Sequence, residues 1–359
     1  MSDTEPIRQG EELNKENLSA FVRENLAVKT DEIEILQFPS GSSNLTYCIK
    51  IGASEFVLRR PPFGNTVKTA HDMEREFNVL SKLSAVYQPA PKPLIYCADE
   101  TVIGSKFYLM ERRNGLIIRG KLPAPSASAN DFTLENSQDL RKKVVESFIE
   151  NLVELHSLDY KKIGLESLGK PEGYAARQVT GWTKRYFDAK TDEHFELETA
   201  IEWLNANIPA SNGATLIHND YKFDNVMLDP DDLTKIVAVL DWEMTTIGEP
   251  LMDLGSSLAY WMSKDAGDAM LSMPFNPRVL MENITRLELV EIYEEKSGKK
   301  VSDPVFYYVF GAFKLAVIAQ QIYFRFVKGF TRDKRFASFN HFVGSLGKIA
   351  LHAIESGKI

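Results

Sequence analysis

Leu216-Ile217-His218-Asn219-Asp220-Tyr221-Lys222-Phe223-Asp224-Asn225-Val226-Met227-Leu228 carries a His-x-Asp-x-x-x-x-Asn spacing between two apolar flanks. A second stretch, Ile236-Val237-Ala238-Val239-Leu240, reads as a buried strand and ends on Asp241-Trp242-Glu243. Two short strands thus supply an aspartate, an asparagine and a second aspartate, the set that phosphoryl transfer from a nucleotide calls for. One carboxylate orients the attacking hydroxyl, while an amide and another carboxylate hold magnesium against the phosphates. The combination implies a kinase of small molecules.

Asp220 is the catalytic candidate. A hydroxyl is a poor nucleophile near neutrality, and a carboxylate that accepts its hydrogen bond positions it and takes the proton late. An isolated His-x-Asp would be no more than a turn after a strand; Asn225 and Asp241 give it a chemical context. Those two are the metal candidates, because magnesium takes few protein oxygens beside water and phosphate oxygens. Asp224 is expected to face water or a helix end. His218 is expected to hold the loop's shape by hydrogen bonding.

Outward from this passage, Ser40-Gly41-Ser42-Ser43-Asn44 separates two strand candidates. Small residues let backbone N–H groups approach an anion, so Ser42, Ser43 and Asn44 are candidates for nucleotide phosphates, although the same composition also serves a plain hairpin. Arg59 or Arg60 supplies a cation for the phosphates. Neighbours on a strand point to opposite faces, so only one can, and Arg59 is the expected one. Glu76 is its expected carboxylate partner, with Glu74 as competitor.

Hydrophobic spacing predicts helices over 14–27, 72–85, 138–156, 251–262, 279–296, 304–328 and 335–355. Strands are expected near Ile33–Phe38, Leu45–Ile51 and Glu55–Arg59, with two more after Pro89-Ala90-Pro91-Lys92-Pro93, the second over Lys106–Glu111. The expected class is α+β: a small antiparallel β lobe over 1–112 and a larger, mostly helical lobe over 113–359.

The 359 residues suffice for two such parts, and 44% hydrophobic with 26% charged residues is ordinary for a globular protein. A formal charge of -8 argues against a nucleic-acid surface. Cys48 and Cys97 have no Cys-x-x-Cys or histidine-rich company, so reduced core thiols are expected, without a disulfide framework or a zinc site. The polar start carries no apolar signal core, and no apolar run looks close to the ~20 residues that span a bilayer. A cytoplasmic protein with no membrane partner is expected. No Gly-x-Ser-x-Gly elbow, Gly-x-Gly-x-x-Gly turn or Gly-x-x-x-x-Gly-Lys-[Ser/Thr] loop is present.

These motifs, with Gly248-Glu249-Pro250-Leu251-Met252-Asp253-Leu254, resemble the aminoglycoside phosphotransferase and choline-kinase-like family. Phe56-Val57-Leu58-Arg59-Arg60-Pro61-Pro62, Arg75-Glu76-Phe77, Ile103-Gly104-Ser105-Lys106 through Glu111, Leu155-His156-Ser157-Leu158-Asp159, Arg177-Gln178 and Trp182 narrow the likeness. They are similar to kinase-like domains fused to certain acyl-CoA dehydrogenases. The resemblance implies a protein-kinase-like bilobal fold, ATP or GTP as donor, Mg2+ as cofactor, and the roles given above for Asp220, Asn225 and Asp241. It also implies that Met110 and Glu111 form the hinge that reads the nucleotide base. The acceptor would be a hydroxyl of a small molecule: a hydroxyacyl or hydroxyacyl-CoA compound, or else an aminoglycoside. A catalytically silent, nucleotide-binding relative is the reading from another class. Two departures stand out: Asn219 replaces the family's usual glycine, and Arg59 stands where a phosphate-binding lysine is expected. Asparagine tolerates a left-handed backbone, so the loop is expected to keep its shape.

Overall fold

The computed structural model describes residues 3–26, 28, 32–39, 44–63, 72–120, 133–262, 266, 268–271, 277–331 and 333–359. It resolves into two compact units, Met1–Asn114 with Val237–Glu243, and Gly115–Ile236 with Met244–Ile359. The division falls after Asn114 rather than at 112, and the segment carrying Asp241 joins the first unit instead of the helices.

In the first unit, β1 (Ile33–Gln37), β2 (Leu45–Ile51), β3 (Ser54–Arg60), β4 (Pro93–Cys97) and β5 (Phe107–Glu111) form an antiparallel sheet in the order β1-β2-β3-β5-β4. Alternate residues on a strand share a face. Leu45, Tyr47, Ile49 and Ile51 of β2, Leu58 of β3, and Phe107 and Leu109 of β5 therefore make one core with Leu18 and Val22 of α1 (Lys15–Asn25). The opposite face of β3 and β5 carries Arg59 and Tyr108, cross-strand neighbours. Helix α2 (Met73–Leu83) covers that side; Asp72 caps it by accepting from the Arg75 N–H at 3.0 Å. Phe77 meets Tyr108 with ring centroids 6.2 Å apart.

The second unit holds the helices α3 (Gln138–Ser157), α4 (Tyr174–Ala189), α5 (Phe195–Ala206), α6 (Pro250–Tyr260), α7 (Asp268–Leu271), α8 (Arg278–Met281), α9 (Arg286–Ser297), α10 (Pro304–Val327) and α11 (Phe339–Ser356). Short strands lie among them: β6 (Thr215–Ile217) pairs antiparallel with β9 (Thr246–Gly248), and β7 (Val226–Leu228) follows the His-x-Asp loop. The run leading to Asp241 is β8 (Ile236–Val239), which from Val237 onward belongs to the first unit.

Two helical expectations need correction. The stretch 279–296 is broken, because Thr285 opens a new helix with a capping box to Glu288. Helix α10, at 24 residues, is long and apolar enough to cross a membrane by length and composition, contrary to the expectation that no run comes close. Of its most apolar window, 78% is buried within the protein, and α4, α6 and α11 pack around it. A helix apolar on every face is what an enclosed core position selects.

The contact of α6 with α10 is set by two glycines. A Cβ on Gly255 would lie 2.3 Å from the Tyr307 carbonyl oxygen, and one on Gly311 would lie 2.2 Å from that of Gly255. Backbone atoms cannot step aside as side chains do. Gly255→Ala should therefore destabilise the protein by about 2 kcal/mol or more, read by denaturant or thermal unfolding. An unchanged midpoint would show that the helices do not cross this closely.

Candidate active site

The His-x-Asp loop, between β6 and β7, is held by a carboxylate the sequence reading quoted without a role. Asp253, in the first turn of α6, has no solvent exposure. Its Oδ2 accepts the His218 N–H and its Oδ1 the Asn219 N–H, both at 2.7 Å. His156 of α3 adds Nε2 at 3.2 Å from Oδ2 and meets the Tyr293 hydroxyl through Nδ1 at 2.9 Å. Burial works against the charge on Asp253, but His156, His218 and the loop N–H outweigh it and hold the carboxyl below its ordinary range.

Asn219 takes a left-handed backbone, φ 66°, as its side-chain type allows. Its Nδ2 donates to the Met244 carbonyl at 3.1 Å, and its own carbonyl accepts from Lys314 Nζ at 2.5 Å. His218 is fully buried, and its Nδ1 accepts the Asp220 N–H at 3.2 Å, a structural duty as expected.

Asp220 and Asn225 lie side by side. Asn225 Nδ2 donates to the Asp220 carbonyl at 2.8 Å and to Asp220 Oδ2 at 2.9 Å. The same oxygen accepts from Lys222 Nζ at 2.7 Å, while Oδ1 accepts from the Tyr260 hydroxyl at 2.8 Å. Burial again opposes the carboxylate, yet Lys222 and Tyr260 more than compensate and its pKa lies below the usual range. Asp220 is thus a fixed, ionised acceptor. Asp224 does not face water alone: it pairs with Arg119.

Within the first unit, Arg59 stands on β3 with its Nε 3.3 Å from Glu76 Oε1, an ion pair not aligned as a hydrogen bond, and its Nη2 2.8 Å from Asp241 Oδ1. Glu74, the competitor, is exposed. Burial disfavours the guanidinium charge, but Glu76 and Asp241 overcome this and keep it protonated. Arg60 turns to the other face and donates to the Pro61 and Ile103 carbonyls. Asn44 Nδ2 donates to Glu243 Oε2 at 2.7 Å, and Arg75 donates to the Glu243 carbonyl at 2.9 Å. Ser42 and Ser43 lie outside the described residues. Met110 is buried opposite Val57, and Glu111 accepts from the Lys92 N–H at 2.8 Å and Arg113 Nε at 2.7 Å.

Sequence reasoning assigned no role to Asp253, Lys222, Tyr260 or Lys314. Two signals were present: an aspartate just inside a proline-started helix, and a lysine in the middle of an apolar one.

With this geometry in place, the likenesses to known proteins fall into line. The model of the phosphotransferase enzyme family matches residues 34–273, and the chain belongs to that family. Acyl-CoA dehydrogenase family member 11 of Rattus norvegicus is 35% identical over 331 residues, which is 90% of this chain and 40% of that protein. The chain therefore spans about two fifths of the length of that relative. A crystal structure from Ralstonia eutropha, classed with the aminoglycoside phosphotransferases, superimposes with a TM-score of 0.77 at 25% identity, covering 96% of this chain and 99% of that one. Choline kinase from Cryptosporidium parvum shares the fold, with a TM-score of 0.64 at 13% identity over 96% and 97% of the two chains. The α+β, kinase-like bilobal class and the expected family are both borne out.

The Asp253 clamp can be tested directly. Asp253→Asn puts a donor where a backbone N–H already donates, and should cost about 3 kcal/mol of stability at neutral pH. The folded carboxyl titrates below its unfolded value, so its stabilisation is complete above about pH 4 and is lost as pH falls through the folded pKa. The stability gap between wild type and variant should narrow on acidification below about pH 4. A gap constant from neutral pH to pH 3 would contradict the clamp.

Proposed function

We propose that this small-molecule phosphotransferase carries the γ-phosphoryl group of ATP, or GTP, to a hydroxyl of a hydroxyacyl compound, with a hydroxyacyl-CoA as the favoured acceptor. The observation that carries the reading is the Asp220 carboxylate, fixed by Lys222, Asn225 and Tyr260 and held ionised. In that state it accepts the hydrogen bond of an incoming hydroxyl, aims its oxygen and receives the proton as the new bond forms.

The donor set also suits a hard cation. Asn225 turns its NH2 to Asp220 and keeps its amide oxygen for another partner, and Asp241 commits Oδ1 to Arg59 and keeps Oδ2. Each of the two side chains therefore keeps, within its own unit, an oxygen of the kind magnesium takes, and that ion when bound supplies positive charge to the phosphate oxygens. Arg59, fixed by Glu76, holds the Asp241 carboxylate in one orientation.

Local charge supports the acceptor class. Lys222 is ion-paired with Asp220, and Lys314 senses Asp220, Asp253, Lys222 and Arg185 together. Among these groups the cations Lys222, Lys314 and Arg185 outnumber the carboxylates Asp220 and Asp253, which favours an anionic compound over a polycationic aminoglycoside. The likeness to a relative named for acyl-CoA points the same way.

ADP release from ATP and Mg2+, with hydroxyacyl-CoA and aminoglycoside panels side by side, tests this. Turnover with aminoglycosides alone would overturn the acceptor class, and no turnover with either would favour a silent nucleotide-binding protein. Asp220→Asn should cut transfer by about 10²-fold or more while nucleotide affinity holds, whereas Asp241→Asn should weaken Mg-nucleotide binding as well. Wild-type activity in both variants would remove the mechanism.

A further inference from the structure

Lys314 sits at the centre of α10, the most apolar helix, with 4% of its surface exposed. A buried ammonium costs several kcal/mol unless it is partnered. Among the described residues no carboxylate lies within ion-pairing distance of it. Its hydrogen-bond partners are the Asn219 carbonyl at 2.5 Å and Ser256 Oγ at 3.4 Å, and Nζ lies 5.8 Å from the centre of the Trp182 ring. The close crossing at Gly255 and Gly311 brings this stretch of α10 against α6, and Lys314 follows Gly311 by one turn.

The Asn219 carbonyl belongs to the peptide that leads into Asp220. The N–H of that peptide is already taken by His218 Nδ1 at 3.2 Å. The lysine holds the other end. A peptide gripped at both ends cannot rotate, and the direction of the Asp220 side chain follows from its plane. This matters because the Asn219 backbone is left-handed, a state that asparagine tolerates but that its surroundings must hold in one orientation.

We propose that Lys314 is a positioning residue for Asp220, fixing the carbonyl end of the Asn219–Asp220 peptide so that the carboxylate keeps one orientation. The proposal rests on the phosphotransfer reading for its consequence in catalysis, though not for the contact itself. Burial pushes the Lys314 ammonium down to about 8, while Asp220 and Asp253 act to hold it up, so the charge survives at neutral pH.

The test compares full-length wild type, Lys314→Met and Lys314→Arg in ATP-dependent transfer, thermal unfolding and amide hydrogen exchange of peptides covering residues 216–226. Lys314→Met should lower kcat by about 10-fold or more through misplacement of Asp220, with KM for ATP changed by no more than about 2-fold. Exchange should quicken in the loop peptides while the rest of the helical unit keeps its protection, and Lys314→Arg should restore part of kcat. Unchanged kcat with unchanged loop exchange in Lys314→Met would overturn the proposal. So would a loss of kcat accompanied by loosening of the whole helical unit that Lys314→Arg does not repair, because that is a packing role. Should the wild type transfer no phosphate, the functional reading fails and exchange alone decides: faster loop exchange in Lys314→Met supports the grip, and an unchanged loop overturns it.

Discussion

A carboxylate shut off from water, Asp253, takes two successive backbone N–H groups of the His-x-Asp loop on its two oxygens. Taking that charge out of water is costly, and only well-aligned donors offset it. Both 2.7 Å bonds and the His156 contact meet that demand. One side chain thereby joins three parts of the helical unit: α6, which carries it, α3, which supplies His156, and the loop after β6. The penalty is recovered as rigidity in the loop, because any movement of His218 or Asn219 would strand a buried charge.

With the loop fixed, the surroundings of Asp220 decide its state. Low local polarity alone would drive a proton onto it. Lys222 at 2.7 Å and the Tyr260 hydroxyl at 2.8 Å reverse that preference. The Lys222 ammonium also lies 4.7 Å from the centre of the Tyr260 ring, so the two donors brace each other. An acceptor carboxylate that is ionised and immobile is what a hydroxyl nucleophile requires, and here both properties come from the same contacts.

Much of the fold was legible because one-sided burial imposes a period on the sequence. The alternation along β2 and the spacing of Leu18 and Val22 in α1 match the faces they bury. Helices α4 and α5 were not singled out, and neither starts with a side-chain cap: Gly173 precedes one and His194 the other. The break before α9 was readable in principle, since Thr285 and Glu288 have the capping-box spacing. Asp220 and Asn225 were legible because their partnership is local. The contacts of Asp253 and Lys314 bridge 34 and 95 residues to Asn219, and no spacing rule reaches that far. Asn219 itself was read correctly as a residue able to replace glycine at a left-handed position.

Arg59 shows why a departure from the family pattern need not be a loss. A lysine ammonium is a compact point charge, and a guanidinium is a planar fork with donors on several sides. Arg59 uses that shape to face Glu76 through Nε and Asp241 through Nη2, with Glu243 at 3.8 Å. Asp241 has a positive φ of 68°, an uncommon backbone state for a non-glycine residue. Its side-chain contact with a buried, charged arginine is one of the forces that hold it there. Glu243 is drawn to the same unit by Asn44 and by Arg75 on its carbonyl. These three contacts tie Asp241-Trp242-Glu243 to the sheet and to α2, which is why the segment groups with the first unit although it lies more than a hundred residues downstream in sequence. A lysine at position 59 could meet one of those carboxylates well, and would leave the other to find its own place.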